Sequence, residues 1–355
     1  YLDKKCTLLG VGPMSPNCVE VAVNLSNNFN IPIFLIASRR QIDSSKFKGG
    51  YVNNWSTNDF SNFVKRIDKK NNIILARDHG GPWQNPYEIE KNMNLEEAMK
   101  SAKSSYLEDI KCGFQIIHID PSIDIHSKPT LDKILNRLFE LYEYCWEKSQ
   151  EFKKDIIFEI GTEEQSGGTN TDEELEYVLS SVNNFCKRSN IPKPFFAVFQ
   201  CGTRVMETRN IGSFDSPLRI KDEIPAEIQL PKILEVCLKN DIFLKEHNAD
   251  YLSNEALSWH PRLGIHAANI APEFGVNETR ALINIFEQNN LSKLAEEFLE
   301  ISYNSRKWEK WILPNSKTNE REKAIISGHY VFANPHVLEI KNKASKLLES
   351  KSINL

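Results

Sequence analysis

The apolar positions of this chain come in short continuous runs and rarely alternate with polar ones. Eight such runs occur, at 7–12, 33–37, 73–76, 115–119, 155–160, 195–199, 242–244 and 263–266. Amphipathic stretches with helical spacing separate them, among them 19–28, 94–108, 130–152, 172–189 and one from 277 onward. Ser56-Thr57-Asn58-Asp59 is an N-cap signal for a further helix. Continuous runs are the mark of strands buried on both faces, and their alternation with helices implies a parallel sheet. Eight strand–helix units within about 280 residues match the count and size of a (β/α)8 barrel, an α/β TIM barrel. The competing doubly wound sheet finds no support, because no G-x-G-x-x-G follows the first strand. The expected division is a barrel over 1–305 and a small helical C-terminal cap or interface segment over 306–355. The insert at 204–230 is longer than a usual βα loop and is expected to act as a lid.

Composition narrows the class. The 355 residues are 40% hydrophobic and 26% charged, ordinary values for a globular protein. A net charge of -4 with no basic block gives no case for nucleic acid. No apolar run approaches membrane-spanning length. Seven scattered cysteines without a C-x-x-C pair point to a reducing, cytoplasmic setting and away from both a disulfide framework and a cysteine zinc site.

In such a barrel the functional residues stand at the C-terminal ends of the strands. Those ends collect Arg39 and Arg40; Arg77, Asp78 and His79; His118 and Asp120; Glu159 and Glu163; Gln200; Lys245 and His247; His266 and Asn269. Imidazoles with a carboxylate make a site for a borderline divalent ion, zinc before others. His79 and His247 are the first choice of ligands, with Glu159 and His266 next. Asp78, beside a ligand, is the proton-transfer candidate, and Glu159 is the second. Arg39, Arg40 and Arg77 are candidates for a phosphate or carboxylate group, and His118, Asp120, Glu163, Lys245 and Asn269 for other contacts to a small substrate. Gly167-Gly168-Thr169 offers a weaker phosphate cradle.

Four segments, taken together, resemble a known family: Arg77-Asp78-His79-Gly80-Gly81-Pro82, His118-Ile119-Asp120-Pro121-Ser122, Glu159-Ile160-Gly161-Thr162-Glu163 and Glu246-His247-Asn248-Ala249-Asp250-Tyr251. Their order and spacing, with Gly49-Gly50-Tyr51 after the second strand, are similar to the accessory ("non-catalytic") subunits of class II D-tagatose-1,6-bisphosphate aldolase, over roughly residues 7–300. The resemblance implies a barrel related to zinc-dependent class II aldolases and to ketose-phosphate 4-epimerases. It carries proton transfer onto Asp78 and metal binding onto His79 and His247. The sixth strand ends in Gln200-Cys201 where the aldolases have a histidine, so Gln200, Glu159 or His266 is left to supply a further ligand. Two functions follow as expectations. One is a metal-dependent, aldolase-like or 4-epimerase enzyme acting on a phosphorylated or acidic ketose by enediolate (retro-aldol) chemistry. The other is a non-catalytic subunit that stabilises a separate class II aldolase. A homo-oligomer or a complex with such an aldolase subunit is expected accordingly.

Overall fold

A computed structural model describes residues 5–161, 172–199, 203–212 and 226–349 of the chain. Eight parallel strands close into a barrel: β1 (Leu8–Val11), β2 (Ile33–Ser38), β3 (Ile73–Gly80), β4 (Ile116–Ile119), β5 (Ile157–Ile160), β6 (Phe196–Phe199), β9 (Phe243–Glu246) and β10 (Ala267–Ile270). A two-stranded antiparallel hairpin, β7 (Val205–Met206) with β8 (Arg209–Asn210), interrupts the series after β6. Closure is direct, since β1 pairs with β2 on one side and β10 on the other. The TIM-barrel fold read from the alternation of runs is therefore the fold of this protein.

Most of the described helices begin where the chain supplies a side-chain cap. Ser15 accepts the Cys18 N–H and starts α1 (Pro16–Phe29), with proline in the first turn where no N–H is needed. Ser56 and Asp59 form a reciprocal capping box at α2 (Thr57–Ile67), as do Asn94 and Glu97 at α4 (Leu95–Cys112), which follows the short α3 (Pro86–Glu90). Thr130 caps α5 (Leu131–Glu151). Helices α6 (Asp172–Ser189), α7 (Ala226–Lys239) and α8 (Asn254–Leu263) complete the outer ring up to β10. The apolar runs differ from expectation at the last strand. Residues 263–266 form the end of α8 and a turn, because Gly264 takes a left-handed C-cap at φ 85°; the strand follows on Ala267–Ile270.

Among the described residues three apolar clusters hold the molecule. The largest lies between the strands and the surrounding helices, for example Leu35, Leu75 and Ile117 against Val23, Phe60, Ile110 and Leu138. A second, inside the barrel, is formed by Phe34, Ile36, Ala76, Ile116, Phe196 and Ala267, with Leu8, Ile74 and Phe243 beside them. These side chains plug the lower part of the barrel, so any chemistry is confined to the end where the strands terminate. The third cluster joins α9 (Pro272–Gln288), α10 (Ser292–Asn304) and α12 (Pro335–Leu348), with Ile325 of α11 (Glu320–Ser327) packed among them. Among the described residues no helix is long and apolar enough to cross a membrane. The lid expected at 204–230 falls partly on residues outside the described ones; what is described there is the small hairpin and the start of α7.

Candidate metal and proton-transfer site

The site is built on a break in the alternation of β3. In a regular strand neighbouring side chains point to opposite faces, so Asp78 and His79 cannot both face the barrel interior. Here the pairing with β4 runs Ala76 to Ile116, Arg77 to Ile117, and then Gly80 to Ile119. Two residues of β3, Asp78 and His79, thus oppose one residue of β4, His118. This is a β-bulge, and His79 carries its conformational cost at φ 43°, the left-handed region that imidazole-bearing residues tolerate better than most. The bulge turns the His79 backbone N–H inward, where it donates to His118 Nδ1 at 3.1 Å. His118 in turn fits only because residue 161 is glycine: a Cβ there would come within 2.5 Å of His118 Nε2.

Spacing of two brings the other strands' residues to the same face. His118 and Asp120 come from the end of β4, and Lys245 and His247 from β9. Asp78, His118, Glu159 and His247 place one donor atom each within 4.8 Å of one another, all buried. Asp78 lies between two imidazoles, with Oδ1 3.5 Å from His247 Nε2 and Oδ2 3.9 Å from His79 Nε2. The His79 and His247 rings stand 4.7 Å apart, edge to face. His79 Nδ1 is 2.6 Å from Asp120 Oδ2, and Asp120 is itself fixed by Gln84 and Ser122. A carboxylate holding the far nitrogen of an imidazole is how metal-binding histidines are commonly oriented. Asn269 donates to Asp78 Oδ1 at 3.4 Å, and Lys245 Nζ bonds both oxygens of Glu159, at 3.0 and 2.7 Å.

Electrostatics sort these groups. Burial by itself would raise the Asp78 carboxyl, but the His79 imidazolium and the Lys245 ammonium outweigh it and hold it well below the usual carboxylate range. Burial likewise opposes charge on His79, yet Asp78 and Asp120 push that imidazole above its ordinary value. For His247 burial prevails, keeping the ring neutral with its Nε2 enclosed and lacking a hydrogen-bond partner. An orphaned imidazole nitrogen beside a carboxylate is the chemistry a divalent cation satisfies, and the buried group of Asp78, His118, Glu159 and His247 fits one, with His79 beside it and outside the four. Glu159 and His118 are less free, since each already has a partner on its inward atom.

Other expected site residues lie elsewhere. Arg39 and Arg77 are corrected: they are structural. Arg39 bonds Asp43 at 2.9 Å, Glu88 at 2.6 Å and the Gly81 carbonyl at 2.8 Å, with its side chain 0% exposed. Arg77 grips Asp109 through two nitrogens, at 2.8 and 2.5 Å, and donates to the carbonyls of Ala37 and Ile42. On the regular part of β3 its side chain points outward, between barrel and helices. Arg40 is half-buried, and its charge opposes protonation of His79. His266 is corrected as a ligand, because it precedes β10, accepts the Leu244 N–H at 3.3 Å and lies tilted against the Phe243 ring, centroids 4.5 Å apart, at the opposite end of the barrel. Gln200, Glu163 and Gly167-Gly168-Thr169 lie outside the described residues. Nothing in the order of the strand ends pairs Lys245 with Glu159; the one local signal is a lysine two residues before a candidate ligand, on the same inward face.

Comparison with known proteins fits this architecture. No protein of curated function matches the chain by sequence. Among solved structures, the chain is similar to a probable tagatose 6 phosphate kinase from Sinorhizobium meliloti 1021, at 18% identity and TM-score 0.79, over 98% of this chain and 88% of that one. It is also similar to the fructuronate-tagaturonate epimerase UxaE from Cohnella laeviribosi, at 11% identity and TM-score 0.57, over 98% and 77%. A fructose-bisphosphate aldolase from Campylobacter jejuni aligns at 12% identity and TM-score 0.51, over 96% and 90%. At these identities the likeness is one of fold. The family model "D-tagatose-1,6-bisphosphate aldolase subunit GatZ/KbaZ-like" matches residues 2–208, more than half of the chain, and the protein belongs to that family.

Proposed function

We propose that this protein is a metal-dependent enzyme of carbohydrate metabolism, of aldolase-like or 4-epimerase type, acting on a phosphorylated or acidic ketose. The observation that carries the reading is the bulge of β3, which spends backbone strain to aim Asp78 and His79 together at His247. Strain of this kind persists where a function needs it more often than where packing alone is served. His79 and His247 would hold the ion, zinc by preference, through their Nε2 atoms. The ion would supply Lewis-acid polarisation of a substrate carbonyl. Asp78, whose side chain at 12% exposure is the most open carboxylate of the cluster, is placed to take or return a proton at the substrate hydroxyl. Asp120 locks the His79 ring, and Asn269 fixes Asp78. Glu159 lies on the floor of the site, fully enclosed, and acts on the substrate only through its neighbours.

Elemental analysis of the purified protein tests this directly. About one divalent ion per chain is expected, with His79→Ala and His247→Ala each losing it while remaining folded. Wild-type protein that takes up no divalent ion, and whose turnover of ketose phosphates ignores chelators, would refute the reading. The family's description as an aldolase subunit supports a second one, in which the chain stabilises a separate class II aldolase. That reading predicts a stable complex on co-purification with such a subunit, and raised stability of the aldolase in it.

A further inference from the structure

Lys245 is the residue the proposed chemistry does not use. It lies on β9 two positions before His247, which directly follows the strand, so both side chains point into the barrel and Lys245 lies one layer deeper. Its side chain is 1% exposed and that of Glu159 is 0%. The ammonium bonds both carboxylate oxygens and stands 5.9 Å from the centre of the Phe34 ring. It therefore marks the level where the apolar filling of the barrel, Phe34, Phe196 and Ile36, gives way to the ionisable cluster. A buried ion pair at this level is no better for stability than well-packed apolar residues would be, because both charges are taken out of water. Glu159 is also one of the four residues whose donor atoms converge. A carboxylate gripped by a buried ammonium is a poor ligand for a second cation, which would have to displace it or sit against it in a site of weak screening.

Resting on the metal reading above, we infer that Lys245 is a tethered cation that holds Glu159 as its counter-ion and keeps it out of the metal's ligand set. The ion is thereby confined to the side of the cluster formed by His79, Asp78 and His247, next to the mouth. Lys245 is in this sense a positioning residue, acting on the ion through Glu159.

Titration of the full-length, metal-stripped protein with Co2+, followed by calorimetry and by visible absorption, tests the assignment. Lys245→Met releases Glu159, so Co2+ should bind about tenfold tighter or more, with a changed absorption spectrum. The double variant Lys245→Met with Glu159→Gln removes the pair and orphans no charge; it should bind within about threefold of wild type, with the wild-type spectrum. A purely structural lysine predicts no gain in affinity from Lys245→Met. Unchanged or weaker binding by that variant, shown folded by circular dichroism, would overturn the inference. So would loss of binding in the folded double variant, which would make Glu159 a ligand; should the single variant not fold, the double variant decides alone. Wild-type protein that binds no Co2+ would instead overturn the metal reading itself, and this inference with it.

Discussion

Arg77 and Asp78 are adjacent in the chain and serve opposite ends of the problem. Arg77 faces out of the barrel and neutralises Asp109 of α4 with both side chains 0% exposed. Asp78 faces in. A strand-end arginine next to an Asp-His pair reads in sequence as a phosphate clamp, and nothing short of the strand's alternation says otherwise. Burial of the pair gives a testable consequence: Arg77→Ala leaves Asp109 enclosed without its counter-ion. Chemical denaturation should show a loss of about 3–5 kcal/mol. A substrate-binding arginine at the surface would instead cost almost nothing in stability and would raise KM. His79, His118, Asp120, Glu159 and His247 were legible as strand-end chemistry, because residues spaced by two share a face. The bulge that brings His79 to the same side as Asp78 was not legible, because it depends on pairing with β4, which no local pattern records. Arg39 escaped for a similar reason: beyond the nearby Asp43, its partners Glu88 and Ser101 lie far along the chain.

Among the elements, strand existence and order followed from the continuous apolar runs, while the ends of strands did not. β3 runs four residues past its apolar run, to Gly80, carrying its charged residues within the sheet. The last strand begins where the expected run ends. Helix starts were better marked, as at Ser56 and Thr130, where side chains near in sequence satisfy the first N–H groups. α9 is an exception. It has no cap of its own, and the carboxylate of Asp250, from the loop after β9, accepts the N–H groups of Ala271 and Glu273 at 2.9 Å each. Burial pushes the Asp250 carboxyl up to about 7 from 3.8, despite those two hydrogen bonds. The folded state therefore holds a proton that the unfolded chain has lost between pH 4 and 7, and this group's contribution to stability falls as pH rises through that window. Asp250→Asn keeps the acceptor oxygen and removes the titration. Thermal unfolding should show the variant gaining on wild type from pH 4 to 7, by at most about 4 kcal/mol, with no further gain above. A constant difference across the window would show that Asp250 does not titrate there.

For the whole molecule, the apolar cluster of the C-terminal helices matters most. Val276, Ile283 and Phe286 of α9 and Phe298 of α10 pack with Val337, Ile340 and Ala344 of α12. Helix α9 follows the last barrel strand directly, so the layer it starts is continuous with the barrel. We propose accordingly that a chain ending at residue 305 exposes this cluster. Each large side chain so uncovered forfeits about 1.5–3 kcal/mol. Such a truncated protein should be aggregated or unfolded by size-exclusion chromatography and circular dichroism; a monodisperse, folded product would show the 306–355 segment to be a separate unit. The barrel itself confers no activity, since this architecture hosts many chemistries. What shapes the site in this barrel is the extra residue in β3. Removing a single residue there would restore regular alternation and leave the barrel's hydrogen-bond ladder intact, yet send either the acid or the imidazole out among the helices. On the proposed reading the molecule carries two reactive groups on one strand where regular alternation allows one, so that activity and fold can be lost independently.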